Sequence, residues 1–183
     1  MSEDYVNREL FAAGHEFGRA RLFTMAVARL MKLGLDDQSR TTAQRLLGEL
    51  QRALEEVILR LGGLDVELSQ PASDYDVGHL DEWLEEQGTV VEHDVGRAYG
   101  SRARRLFRLG AVAHEAATYR NSLLESERGG RPRDSALFRR LLDTVLENGG
   151  LPKNLLDDDP TLEPDKLYDI FTTTISRSDD DLG

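Results

Sequence analysis

The sequence predicts an all-α fold, a helical bundle of five or six main helices in which two long helices pack closely. Three observations lead there. Apolar residues recur at alternating three- and four-residue steps, most clearly at Leu47, Leu50, Leu54, Val57 and Leu61, the spacing that lines one face of an α-helix. Glycines end several such runs, and Ser or Asp residues begin them, as helix stops and starts require. Only five prolines interrupt 183 residues, and the one short alternating segment, Leu64–Leu68, has no second segment to pair with as a strand. A chain of this length supports one sizeable core. Residues 1–177 therefore read as a single helical domain and 178–183 as a mobile acidic tail.

The elements follow in order. Ser2, with acids in the next turn, caps a first long helix through Val6, Leu10, Phe17, Met25 and Leu30 to Gly34. Asp36 and Asp37 start a second, which Gly62 and Gly63 end. Leu64–Leu68 is expected as an extended connector, because Pro71 follows it. Ser73 and Asp74 introduce a short acidic helix through Leu80, Trp83 and Leu84, stopped by Gly88. Thr89 and Glu92 then have the spacing of a capping box and open a second long helix to about Glu127, with Gly96, Gly100 and Gly110 inside it. A Gly/Pro/Arg loop leads to a helix capped by Asp134 or Ser135 that carries Leu137, Phe138, Leu141, Leu142, Val145 and Leu146 and closes at Gly149 and Gly150. Pro152 starts one turn, and a last helix from about Pro164 carries Leu167, Tyr168, Phe171 and Ile175.

Charge is distributed unevenly along this order. Leu64 to Asp94 holds ten carboxylates and no Lys or Arg, whereas Arg97 to Arg140 holds eleven arginines against four acids, within a chain of net charge -11. Such a split suits a clamp on a partner, a contact between subunits, or pairing within the fold. The absence of cysteine excludes disulfides, thiolate nucleophiles and Cys-based metal sites. No run approaches the roughly 20 apolar residues that span a bilayer, and Met1 is followed by Ser2, Glu3 and Asp4 and not by a basic-then-apolar leader. The expectation is a cytoplasmic protein with no membrane partner and no cofactor.

Several constellations carry candidate chemistry. Leu10–Arg21 and Leu109–Arg120 are near-repeats, each with a His-Glu pair, His15-Glu16 and His114-Glu115. Consecutive helix residues diverge by about 100°, so Glu16 and Glu115 are expected to face solvent, and neither pair has the Glu-x-x-His or His-Glu-x-x-His spacing of a bundle metal site. Gly14 and Gly18, like Ala113 and Ala117, are small residues four apart and mark a close helix seam. Arg21 and Arg120 fall on that inward side and need carboxylate partners or a route to water. Arg8-x6-His15 and Arg108-x5-His114 resemble the Arg-x(4-6)-His spacing of HEPN ribonucleases. That resemblance implies a paired-helix cleft in which Arg108 and His114 contact RNA phosphate and move a proton. Gly130-Arg131-Pro132 resembles the core of an AT-hook, whose arginines enter a minor groove, although a Gly/Pro turn between helices needs no ligand. Asp157, Asp158 and Asp159 lack the bidentate Glu of a calcium loop. No P-loop, dinucleotide fingerprint or nucleophile elbow is present, so no catalytic residue is assigned.

The functional expectation is a non-catalytic interaction or assembly protein, a homodimer or subunit. Its binding residues are Arg97, Arg102, Arg104, Arg105 and Arg108, interleaved with Tyr99 and Phe107, set against an acidic face from Asp74 to Asp94. The alternative is RNA binding or HEPN-like cleavage, with nucleic acid held by the Arg-rich segment. A third option is an acidic inhibitor of a basic partner. The decision turns on whether the two charged segments fold onto each other or face apart.

Overall fold

Six helices occur among the described residues, and capping side chains or glycines bound several of them. The computed structural model describes residues 1–34, 36–70, 77–157 and 163–180. It contains α1 (Glu3–Leu33), α2 (Asp37–Gly63), α3 (Leu80–Tyr99), α4 (Ser101–Arg128), α5 (Pro132–Asn148) and α6 (Pro164–Asp180), with one 3-10 turn at Val77–His79. No strand occurs among the described residues, and the fold is an all-α bundle. The helix start expected at Ser73 and Asp74, the Asp158 and Asp159 acids and residues 181–183 of the expected tail lie outside the described residues.

Helix α1 begins where the Ser2 hydroxyl accepts from the Tyr5 amide at 3.3 Å. Helix α2 begins where Asp36 accepts from the Ser39 amide at 2.7 Å. In both cases an otherwise unpaired first-turn N–H is satisfied by a side chain. The end of α2 is not made by its glycines. Val66 N–H bonds the Leu61 carbonyl and Asp65 N–H the Gly62 carbonyl, so the left-handed residue of this Schellman turn is Asp65, at φ 54°. Leu64–Leu68 then runs as an unpaired connector.

The largest departure from expectation lies between α3 and α4. Gly88 does not stop a helix and Thr89 does not cap one, since α3 runs through both. The Thr89 hydroxyl donates to the Glu85 carbonyl at 3.2 Å, the bond of a threonine inside a helix. Gly88 is buried, and a Cβ there would stand 3.0 Å from the Phe17 ring of α1. Its missing side chain makes room for packing. The break falls at Gly100, whose φ of 88° and ψ of -177° lie in a region essentially reserved for glycine.

The helices divide into two compact units, Met1–Ala111 and Val112–Gly183. In the first, α1 is central. It carries Leu10, Phe11, Ala13, Phe17, Ala20 and Val27 into the core, against Leu50, Ala53, Val57 and Leu61 of α2, Leu80, Leu84 and Val95 of α3, and Leu106 and Phe107 of α4. The Phe17 and Phe107 rings meet at a centroid distance of 5.7 Å, tilted by 49°. The seam expected at Gly14 and Gly18 is present, and its other side is the α4 backbone at Phe107 and Ala111. Gly110 completes it, packed against the Phe11 carbonyl and the His15 amide of α1.

In the second unit, Ala113, Ala116, Ala117 and Leu123 of α4, Leu142 and Leu146 of α5, Leu156, and Leu167 and Phe171 of α6 are buried. Pro132, which has no N–H to leave unpaired, opens α5 two residues before the expected cap at Asp134. Gly150, at φ 71°, closes α5 in a Schellman turn in which Leu151 N–H bonds the Leu146 carbonyl at 2.8 Å.

Candidate functional site

Arg104 and Arg108 stand one turn apart on α4, and the bend at Gly100 returns both to Glu92 of α3. Arg104 Nε lies 3.4 Å from Glu92 Oε2, and Arg108 Nε donates to the same oxygen. Arg97 reaches Asp94 Oδ1 at 3.2 Å and donates to the Glu67 carbonyl at 3.1 Å. Arg102 pairs with Glu3 of α1 at 3.5 Å, beside a small groove lined by Val6, Leu10 and Tyr99. Arg105 is exposed on the same helix. The structure therefore brings Arg104 and Arg108 together, places Arg97 and Arg102 elsewhere, and pairs four of the five candidate arginines with acids of the chain. The interleaved Phe107 is core, and the Tyr99 hydroxyl donates to the Leu64 carbonyl at 2.6 Å.

Asp94 is the most deeply buried acid in this arrangement. Its side chain is 0 % exposed and accepts from the Ser69 amide at 2.7 Å and the Ser69 hydroxyl at 2.8 Å. With Arg97 and Tyr99 it fastens the 64–69 connector to α3.

Other charges tie α1 to its neighbours. Arg19 spans Glu16 at 3.3 Å and Glu49 of α2 at 3.1 Å, Arg60 of α2 reaches Glu9 at 2.9 Å, and Arg21 Nε lies 3.1 Å from Glu85 of α3. Arg21 thus has the carboxylate its position required. Glu16 does not face solvent as expected, and Glu115 is only 9 % exposed. A single-face helix wheel fails here because α1 is covered by three helices and α4 buries residues around most of its girth at Ala113, Glu115, Ala116 and Ala117. Tyr119, near Glu115, has its phenol pushed up by burial and by that carboxylate's charge. Arg120 is buried, and its Nη1 has no hydrogen-bond partner among the described residues.

The Glu16 carboxyl is held below the usual carboxylate range, first by the adjacent His15 imidazole and then by Arg19, with burial working in the opposite direction. A depressed folded value means that Glu16 contributes stability above its unfolded value and loses that contribution as pH falls through the folded one. Urea midpoints of Glu16→Gln should lie below those of the parent near pH 6 and converge with them on acidification below the ordinary Glu range. A gap that stays constant with pH would contradict this linkage.

Among the described residues no group of three or more His, Asp or Glu side chains is placed to hold a metal ion, and no helix is long and apolar enough to cross a membrane. Of the HEPN-like pair, Arg108 is engaged by Glu92, and in the other copy Arg8 pairs with Asp4 at 3.1 Å.

Sequence reasoning missed an open groove of about 680 Å³ along α2, lined by Gln44, Leu47, Gln51, Leu54 and Ile58, with Trp83 of α3 as its far wall. Ile58 is 57 % exposed and the adjacent Leu59 70 %. A signal was present: Val57, Ile58 and Leu59 cover about 200° of a helix, so one core-facing stripe cannot hold all three.

Compared with known proteins, the chain matches no family model, no curated protein and no solved structure.

Proposed function

We propose that this chain is a non-catalytic interaction protein, working in the cytoplasm, whose principal contact surface is the apolar groove between α2 and Trp83. The observation that carries this reading is the exposure of Ile58 at the mouth of a groove whose lining is mainly hydrocarbon. Contiguous exposed apolar surface is costly to leave in water and commonly marks a docking site. The arginine cluster supports a structural role beside it, because Glu92, Asp94 and Glu3 already draw on four of its guanidinium groups. In this reading the charge split holds α3, α4 and the connector together, and recognition moves to the groove.

A photo-crosslinking side chain at Ile58 tests it directly. Crosslinks to protein are expected from that position and not from exposed Arg45 on the same helix. The opposing result is RNA that binds with a steep salt dependence and is lost on Arg104→Ala. That outcome would restore Arg97, Arg102, Arg104, Arg105 and Arg108 as the functional surface.

A further inference from the structure

We infer that the occupant of the α2 groove is a basic amphipathic helix supplied by another protein, an assignment that rests on the docking role proposed above. The first argument is shape. The lining positions Gln44, Leu47, Gly48, Gln51, Leu54, Glu55 and Ile58 follow helical spacing along α2, and the fourteen steps from Gln44 to Ile58 at 1.5 Å each give a trough about 21 Å long. A segment lying in that trough meets a straight row of side chains over about four turns. A helix presenting apolar residues at i, i+3, i+4 and i+7 matches such a row.

The second argument is charge. Among the described residues the one charged side chain in the lining is Glu55, whose Oε1 accepts from the neutral Gln51 amide at 2.9 Å, and no described Lys or Arg lines the groove. Glu55 forms no ion pair with any described residue. It differs in this from Glu92 and Asp94, which are engaged by arginines. An acid in the wall of an apolar trough, with no cationic partner, favours cations that flank an apolar stripe and disfavours carboxylates there.

The third feature is Gly48. It lies mid-helix in the lining, and a Cβ built on it meets nothing within 4 Å. The surface of α2 is therefore notched at this turn, which lets one large partner side chain approach the backbone. Ile58 and Leu54 lie farther along the trough, and Trp83 gives a broad aromatic wall of the kind enriched where binding energy concentrates.

The test uses the full chain and three synthetic helical peptides of about fifteen residues. One has a Leu stripe flanked by Lys, one has the same stripe flanked by Glu, and one is a scrambled form of the Lys peptide. Calorimetry or fluorescence anisotropy at low and moderate salt reads the affinities. The Lys-flanked stripe should bind about tenfold or more tightly than either control and lose about tenfold or more on Ile58→Lys. Ile58 is exposed, so that variant should retain the parent's helical circular dichroism and urea midpoint, which distinguishes lost docking from lost folding.

Equal binding of the scrambled peptide, or unchanged binding by Ile58→Lys, would overturn the assignment by showing generic attraction to an acidic protein. Sedimentation of the full chain separates the two levels of inference. Self-association abolished by Ile58→Lys, with no preference for the Lys-flanked stripe, would retain the docking role and reject this occupant. No peptide binding, no self-association and no protein crosslink from Ile58 would reject both.

Discussion

Gly14→Ala should destabilise the protein by about 3 kcal/mol or more, whereas Gly48→Ala should stabilise it by up to about 1 kcal/mol. Both replacements add one methyl group inside a helix, and both remove the backbone entropy that makes mid-helix glycine unfavourable. The opposite signs come from what the methyl meets. At Gly14 a Cβ would overlap the Phe107 carbonyl oxygen and lie 2.7 Å from its carbonyl carbon. Those are backbone atoms within α4, so no rotamer change removes the clash, and α1 and α4 must separate. Separation would also loosen the Phe17–Phe107 contact and the reciprocal seat of Gly110. At Gly48 the methyl meets nothing. Urea denaturation of the two variants under one set of conditions checks the pair. A Gly14→Ala midpoint equal to the parent's would mean that the helices are not in backbone contact.

These glycines also show what was legible in the chain and what was not. The starts at Ser2 and Asp36 and the Gly149-Gly150 end could be read directly, because capping is a local transaction between residues a few positions apart. The role of an internal glycine is not local. Gly88 and Gly100 look alike in sequence, yet one makes room for the Phe17 ring and the other supplies a dihedral pair that a side chain resists. The difference depends on α1, distant in sequence from both. The charge split was legible as a pattern, but its orientation was not, since the pairing of Glu92 with Arg104 and Arg108 depends on the bend at Gly100. The groove escaped for a related reason. Leu47 and Leu54 were assigned to a core-facing stripe, and only the position of Trp83 shows that their outer edge lines an open trough.

The second large effect is expected at Asp94. Replacing it with Ala should cost about 2–4 kcal/mol, well above the roughly 0.5 kcal/mol bound for an ordinary surface substitution. The carboxylate is buried and satisfies two Ser69 donors while also meeting Arg97. Its removal leaves the Ser69 amide and hydroxyl without that acceptor, and only water can replace it on the exposed side of Ser69. Arg97 suffers less, because its side chain is 54 % exposed and it still has the Glu67 carbonyl. Ser69→Ala should cost about 1 kcal/mol, since it deletes the hydroxyl bond and retains the amide one. A double-mutant cycle between the two positions should return a coupling of about 0.5–1.5 kcal/mol, the value of the hydroxyl–carboxylate contact. Amide exchange adds a positional readout. Ser69 N–H should be protected in the parent and exchange faster in Asp94→Ala, while protection in the centre of α1 follows only the global loss of stability. If Ser69 exchange is unchanged and the variant costs less than 0.5 kcal/mol, Asp94 does not clamp the connector.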